Sequence, residues 1–272
     1  MAMFVRMADN CGEPLPAIQK AFFRNLVACA IACSVLFRNK AGLSGLSFGL
    51  QPRQWMDLVL RSSFGTAGIF ANFYAISHIP IADAIALNKT APFFTLVFSW
   101  LLVGERMGMR QTLCVLGAFA GALFVIKPGL SGSLTLPSAV GLLSGFCAGA
   151  AYAFLHRLGK AGVNGAFIIL FFSAFSCAAC VPFIAADYHA MNPAQLLALT
   201  GAGACAAIGQ FGITWAYRLA EPRQVAVFDY SGIIFSAILG FAAFGQIPDG
   251  WSFLGFAVII AMAAVLNRRK TK

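Results

Sequence analysis

The chain has 272 residues, of which 60% are hydrophobic and 10% are charged, and its formal net charge is +10. A soluble domain carries roughly 25% charged residues, so this composition excludes one and indicates a polytopic membrane protein. The positive charge does not indicate a nucleic-acid partner, because the basic residues fall in short segments between apolar runs and not along one helix.

The apolar residues form nine runs of the length that a helix needs to cross ~30 Å of hydrocarbon, about 17 to 25 residues. Most connections between the runs are short and carry Pro or Gly turn signals. The exception is the segment from Arg38 to Leu60, which we predict to be a long loop. The predicted spans are 20–37, 61–77, 81–103, 111–127, 138–156, 165–186, 194–217, 224–244 and 251–267.

The positions of Lys and Arg predict the orientation of the spans, because basic residues are retained on the cytoplasmic side. With sides alternating along the chain, fourteen fall on one side and three, Lys20, Arg24 and Lys127, on the other. The fourteen are Arg38, Lys40, Arg53, Arg61, Arg106, Arg110, Arg157, Lys160, Arg218, Arg223, Arg268, Arg269, Lys270 and Lys272. We therefore predict a multi-pass protein of the cytoplasmic (inner) membrane, with its C-terminus in the cytoplasm.

The chain contains an internal repeat. A shift of 141 residues aligns Gly68 with Gly209 and places Asn88 on Asp229, without a gap. Because the shift spans five helices, an odd number, the two copies must lie in the membrane with opposite orientations. Inverted repeats of this kind are typical of transporters whose substrate site lies where the copies meet.

The two repeats, residues 1–129 and 130–272, differ at their first helix. The second repeat opens with the full span 138–156, whereas the first has only Ala2 to Ala8 at the equivalent place. We expect nine full spans plus a stub. Either the true start lies upstream or the protein works with the stub; the former is preferred because an unpartnered half-site would turn polar groups toward lipid.

Several motifs in this repeat together resemble one family. Residues 88–92 read Asn-Lys-Thr-Ala-Pro, and they are followed by a Phe-rich helix, by Gly-Glu-Arg at 104–106 and by a span that ends Val-Ile-Lys-Pro-Gly at 125–129. The second copy has Gly-Gln at 245–246. This pattern resembles the EamA-like family of the drug/metabolite transporter superfamily. The resemblance implies ten helices in two inverted bundles of five, both termini in the cytoplasm, and a cavity lined by the first, third and fourth helices of each copy.

Asp229 is the acidic residue that lies deepest within a predicted span. A carboxylate there costs at least ~2.5 kcal/mol unless it is paired, hydrated or protonated. Asp229 is therefore the candidate proton site or the group that holds a cationic substrate. Lys89 is its natural partner, since it lies on the corresponding helix of the other repeat. The alternative is a structural ion pair between the two residues, which would hold the bundles together.

Asn88 and Pro92 are polar and helix-breaking positions in the same span as Lys89. Pro92 removes a backbone donor and frees a carbonyl, so it either kinks the helix and offers that carbonyl to the cavity or is simply tolerated. The resemblance places further candidate substrate-binding residues on cavity helices: Asn72, Tyr74, Tyr152, Gln210, Trp215 and Tyr230.

We expect a secondary active transporter that moves a small metabolite, an amino acid or its derivative, or a drug by alternating access, driven by a proton or solute gradient. No ATP-binding Gly-Lys-Ser/Thr loop, metal site or cofactor is expected. The protein is expected to act as a monomer or a homodimer. The alternatives are a truncated non-transporting membrane protein and an intramembrane enzyme acting on lipid-linked substrate, although His78, His156 and His189 are too scattered to favour the enzyme.

Overall fold

The computed structural model describes residues 1–38, 50–103, 108–126, 136–219, 232, 235, 237–245 and 247–267. Within these ranges the chain is helical and contains no strand. The helices are α1 (Ala2–Asn10), α2 (Ala17–Arg38), α3 (Pro52–His78), α4 (Ile81–Asn88), α5 (Ala91–Val103), α6 (Met109–Ile126), α7 (Leu136–Lys160), α8 (Gly165–Ala186), α9 (Pro193–Leu219) and α10 (Gly250–Asn267). Residues 237–244 are also helical.

Five segments of this described part are both long enough and apolar enough to cross a membrane. They are Ala17–Phe37, Ile81–Leu102, Leu136–Lys160, Gly165–Ala186 and Pro193–Leu219. The second of these joins α4 and α5 into one span of 22 residues.

The internal repeat is visible in the ends of the helices. Adding 141 to the bounds of α3 gives 193 and 219, which are the bounds of α9. The same shift carries the bounds of α6, 109 and 126, onto those of α10, 250 and 267. A shift of 148 carries α2, 17 and 38, onto α8, 165 and 186. At the position of the first helix, α1 has 9 residues where α7 has 25.

The third helix begins earlier than the hydropathy pattern predicted. We expected a loop up to Leu60 and a span from residue 61, but α3 begins at Pro52. Proline is favoured in the first turn because its missing N–H has no intrahelical partner there. The side chain of Gln54 also accepts a hydrogen bond from the Gln51 backbone N–H at 2.9 Å, which holds the first turn. The extra turns carry charged residues, so they did not register as part of an apolar run.

The span that contains Pro92 is interrupted two residues before it. Helix α4 ends at Asn88, residues 89 and 90 form a turn, and Pro92 is the second residue of α5. The Thr90 hydroxyl donates to the Leu87 carbonyl at 2.6 Å, which satisfies an acceptor left free by the break. The structure thus places the interruption of the helix at Lys89 and Thr90, and places Pro92 in the first turn of α5, where proline is tolerated.

Helix α7 packs closely against this break through a stripe of glycines. A Cβ on Gly145 would lie 2.6 Å from the Leu87 carbonyl oxygen, and one on Gly149 would lie 2.7 Å from that of Ala91. No side chain fits at such distances, so glycine is required for the approach of the two helices. The contact brings the end of α4 against the middle of α7, and thereby joins the two repeats.

Candidate functional site

A cavity opens where the two repeats meet. It encloses about 550 Å³ of space between atoms, including the part open to its mouth. Helices α2, α3 and α4 of the first repeat and α7, α8 and α9 of the second contribute to its wall. Its polar lining residues are Arg24, Arg61, Asn72, Asn88, Tyr152 and Gln210.

Arg24 is buried on the cavity side of α2, with 3% of its surface exposed. Its Nη1 donates to the side-chain oxygen of Asn25, and Asn25 in turn donates from Nδ2 to the Ser176 hydroxyl at 2.6 Å. The Nε atom of Arg24 is buried without a hydrogen-bond partner. The guanidinium is therefore held by neutral groups and retains an unused donor.

Arg61 reaches the cavity from α3 and is 2% exposed. Its Nη2 donates to Gln210 Oε1 at 3.2 Å, and its Cζ lies 3.9 Å from the centroid of the Phe172 ring, a cation–π contact. Both Nε and Nη1 of Arg61 are buried without a partner. Gly65, one turn along α3, leaves the space, since a Cβ there would lie 3.0 Å from Arg61 Nη1.

The neutral polar residues complete the wall. The side-chain oxygen of Asn72 is buried and has no hydrogen-bond partner. Asn88 donates from Nδ2 to the Ser144 hydroxyl at 3.0 Å, so the end of α4 is tied to α7. Tyr152 lies close enough to interact electrostatically with both Arg24 and Arg61. The cavity therefore offers two cations together with neutral donors and acceptors.

Ion pairs lie on either side of this cavity along α3. Near the start of α3, Arg157 of α7 donates from Nε to Asp57 Oδ2 at 2.7 Å and pairs with Oδ1 through Nη2. Near the end of α3, Lys20 of α2 binds Asp9 of α1 at 2.9 Å and donates to the Ser77 hydroxyl at 2.5 Å. Each cluster joins two helices that border the cavity: α3 and α7 in the first, and α2 and α3 in the second.

The structure brings together four of the residues predicted from sequence. Asn72, Asn88, Tyr152 and Gln210 all line the cavity. Lys89 lies against Gly232 of the predicted span 224–244, because a Cβ on Gly232 would lie 3.0 Å from its Cε and 3.6 Å from its Nζ.

The other predicted site residues are placed elsewhere or cannot be placed. Tyr74 does not line the cavity and stacks on His78, with ring centroids 4.2 Å apart. Trp215 is 60% exposed on the outer face of α9. Asp229 and Tyr230 lie outside the described residues, so their pairing with Lys89 stays a prediction.

The two arginines are the site residues that sequence reasoning missed. Arg61 was counted among the loop residues of one face and Arg24 among those of the other, yet both are buried within helices. Without Arg24 and Arg61, thirteen Lys and Arg residues remain on one predicted side of the membrane and two on the other, since each count loses one. Pro52 is the residue that could have indicated a helical position for Arg61, because α3 begins at Pro52, nine residues before Arg61.

The cavity also differs from the one that the family resemblance implied. The second helix of each repeat contributes to the wall, with Arg24 on α2 and Phe172 on α8. These two positions correspond in the repeat, since 24 plus 148 is 172.

Two inverted helical repeats around a central polar cavity define a membrane transporter of the drug/metabolite class. The chain belongs to the EamA-like transporter family. The model of that family matches residues 1–127. The chain is also 32% identical over 269 residues to the pseudopaline exporter CntI of Pseudomonas aeruginosa, a match that covers 97% of this chain and 90% of that protein.

More distant relatives are transporters as well. The chain is 27% identical over 252 residues to a riboflavin transporter of Vibrio cholerae, covering 91% of this chain and 83% of that protein. It is 25% identical over 281 residues to the solute carrier family 35 member G1 of Mus musculus, covering 93% and 72%. A solved crystal structure shares the fold with a TM-score of 0.71 at 19% identity, over 97% of this chain and 94% of the other. The predicted all-α membrane fold and the family resemblance are thus confirmed.

Proposed function

We propose that this protein is a secondary active transporter and that the cavity between its repeats is the substrate site. The observation that carries the proposal is the polar cavity itself, about 550 Å³, with Arg24, Asn72 and Asn88 from the first repeat facing Tyr152 and Gln210 from the second. A concave site with a few polar groups set in an apolar wall is typical of sites for small metabolites. Binding at the junction of two inverted repeats is the arrangement on which alternating access depends.

The ion pairs on either side of the cavity serve as the two gates of this cycle. Asp57 and Arg157 join α3 to α7 at one end, whereas Asp9 and Lys20 join α1 to α2 at the other. Alternating access requires one such closure to open while the opposite one stays shut. Ion pairs suit this role because a pair that becomes hydrated on opening recovers much of its lost interaction energy from water.

The energy for transport comes from a proton or solute gradient. Asp229 remains our candidate proton site and Lys89 its partner, because the Lys89 side chain lies against Gly232, three residues further along the chain than Asp229. A proton carrier of this kind must change its protonation state during the cycle. Replacing Asp229 with Asn should therefore abolish the pH dependence of transport; persistence of both transport and pH dependence would show that Asp229 is not the proton site.

The remaining expectations also stand as proposals. The repeats occupy residues 1–129 and 130–272, the protein lies in the cytoplasmic membrane with its C-terminus in the cytoplasm, and it works as a monomer or a homodimer. The surviving excess of Lys and Arg on one side supports the orientation. Fusions of a phosphatase or a fluorescent protein to the C-terminus test it directly.

Transport is tested with the purified full chain in proteoliposomes, by counterflow of labelled compounds. Pseudopaline and riboflavin, which give two relatives their names, are the first probes, followed by amino acids and their derivatives. We expect accumulation of at least one compound, and a loss of at least about tenfold when Asn72 and Gln210 are both replaced by Leu.

The matched control is Trp215→Leu, since Trp215 is 60% exposed and outside the cavity. This variant should transport at close to the wild-type rate. If the cavity variant transports as well as the Trp215 variant, the substrate does not pass through this cavity.

A further inference from the structure

We propose that the cavity binds a small organic anion and that a carboxylate of this substrate is held between Arg24 and Arg61. The inference rests on the proposed function, because it names the chemical class of the molecule that the cavity would carry. Asp229 alone would favour a cationic substrate, whereas the two arginines favour an anionic one.

The first step is the charge of the cavity. Its thirteen lining residues include two arginines and no acid. Guanidinium groups remain protonated in proteins, so a buried arginine cannot relieve its charge by losing a proton. The two groups line the same cavity, so their like charges repel each other. The lining therefore holds about two positive charges that call for an anion.

The second step is that the described part of the protein does not supply this anion. None of its six acids lines the cavity, and three of them form ion pairs elsewhere: Asp9 with Lys20, Asp57 with Arg157 and Asp187 with His189. The arginines instead receive one neutral oxygen each, from Asn25 for Arg24 and from Gln210 for Arg61. A buried charge that no described residue compensates is costly, and an anionic ligand would offset that cost.

The third step is the unused hydrogen-bonding capacity. Arg24 Nε, Arg61 Nε and Arg61 Nη1 are buried and have no hydrogen-bond partner among the described residues. A carboxylate has two oxygens that accept charge-assisted hydrogen bonds from guanidinium N–H groups, so one oxygen could accept from Arg24 and the other from Arg61. The ring of Phe172 holds the Arg61 plane from its other face.

The rest of the wall limits what accompanies the carboxylate. Asn72 presents a buried oxygen without a hydrogen-bond donor, so a hydroxyl or amine on the substrate would satisfy it. Ile69, Ala148 and Ala151 give an apolar side to the same space. The matching ligand is a carboxylate with a polar donor and a short apolar part, and an amino acid derivative has this composition.

Binding is tested on the detergent-purified full chain by thermal unfolding with matched pairs of compounds. The pairs are N-acetylated amino acids against their amides, together with glutamate against glutamine and a phosphomonoester against its free alcohol. We expect at least one carboxylate to raise the melting temperature by several degrees, while its amide does not. If no carboxylate stabilises the protein, or if amides and cations stabilise it equally, the proposal fails; if only the phosphomonoester does, the headgroup is a phosphate and the carboxylate assignment is wrong.

The variants for this experiment are Arg61→Gln, Arg61→Lys and, as a control, Arg53→Gln. Arg53 is an exposed cation on the same helix, eight residues before Arg61. Stabilisation by the carboxylate should disappear in Arg61→Gln and persist in Arg53→Gln. It should weaken in Arg61→Lys, because one ammonium group replaces the several N–H donors of the guanidinium. Equal responses in all three variants would show that the anion binds elsewhere.

The stability of the empty protein separates a ligand site from a structural role. Replacing an uncompensated buried charge with a neutral side chain of similar volume is often neutral or stabilising. We therefore expect Arg61→Met without ligand to melt at or above the wild-type temperature. A clear fall in melting temperature would instead identify Arg61 as a structural residue and would contradict the proposal.

Counterflow in proteoliposomes distinguishes failure of this inference from failure of the proposed function. If the protein transports only neutral or cationic compounds and carboxylates do not compete, it is a transporter but not one for anions. If carboxylates stabilise it but no compound is transported, the site binds anions and the transport proposal is wrong.

Discussion

The guanidinium of Arg61 lies over the ring of Phe172, with Cζ 3.9 Å from the ring centroid. The two residues come from different repeats, α3 in the first and α8 in the second. Phe172 is also the repeat counterpart of Arg24, since the helix that contains it is displaced by 148 residues. Arg61 of the first repeat thus packs against Phe172, which the second repeat has at the position equivalent to Arg24.

This contact predicts a specific cost for removing the ring. We expect Phe172→Leu to lower the stability of the protein by about 2 kcal/mol, because it removes a buried ring and the cation–π contact that partly offsets the desolvation of Arg61. Thermal or denaturant unfolding of the purified protein measures the change. Phe183→Leu on the same helix is the control, since Phe183 is 56% exposed, and its effect should be much smaller. Equal effects of the two substitutions would show that the contact with Arg61 contributes nothing measurable.

The ion pair of Asp57 with Arg157 should be worth more than a surface pair. Asp57 is 5% exposed and Arg157 is 18% exposed, so breaking the pair leaves a largely buried charge. We expect Asp57→Asn to cost about 2 to 4 kcal/mol, and the double variant Asp57→Asn with Arg157→Gln to cost less than the sum of the single variants. A double-mutant cycle on unfolding measures this coupling.

The control for that cycle is the pair of Asp187 with His189. His189 Nδ1 lies 3.6 Å from Asp187 Oδ1, and Asp187 is 75% exposed. Exposed pairs contribute about 0 to 1 kcal/mol, so Asp187→Asn should have little effect. Additive costs at Asp57 and Arg157 would argue that these residues do not stabilise one another.

The close approach of α7 to the end of α4 predicts that Gly145 tolerates no side chain. Its Cβ would lie 2.6 Å from the backbone oxygen of Leu87, which cannot move without shifting the helix. We expect Gly145→Ala to cost about 1 to 3 kcal/mol by overpacking. Gly212→Ala on α9 is the control because no atom lies within 4 Å of its Cβ, and helix propensity favours alanine there by up to about 1 kcal/mol. A harmless Gly145→Ala would mean that the helices are further apart than described.

The proposed orientation predicts which face of the membrane exposes Cys11. Cys11 is exposed and directly follows α1, on the side of the membrane where α3 ends. This is the side opposite the excess of Lys and Arg, so the proposed orientation places it outside the cytoplasm. An impermeant maleimide added to intact spheroplasts should therefore label Cys11, and Cys11→Ser should remove the label. A cysteine at exposed Lys160, introduced into Cys11→Ser, should react only after the membrane is opened. The reverse pattern of labelling would invert the topology.

Much of the helical frame could be predicted from the sequence because apolar runs and turn residues carry that information. The bounds predicted for α8, 165 and 186, are those of the structure. The start of α3 was missed because its first turns contain Arg53, Asp57 and Arg61, which hydropathy counts against a span. Asp57 and Arg61 are buried because they have partners on α7 and α9, and no pattern within α3 reveals those partners.

The candidate site was predicted only in its neutral half. Asn88 was found because a polar residue within an apolar span attracts attention, whereas Asn72, Tyr152 and Gln210 were predicted because the family resemblance places their helices at the cavity. Arg24 and Arg61 escaped the same reasoning because basic residues were assigned to the faces of the membrane by the rule that orients spans. The same rule, applied only after helix starts such as Pro52 are located, would leave both arginines inside.

The placement of both arginines in one repeat has an electrical consequence for the proposed transport cycle. When the cavity is empty it carries about two positive charges, and a bound carboxylate removes at least one of them. Moving one charge through the full membrane potential changes the energy by about 2.3 kcal/mol per 100 mV. The conformational change of the protein without bound substrate is then the step whose rate depends most on the membrane potential. Through this step, the voltage across the membrane controls the rate of the whole transport cycle.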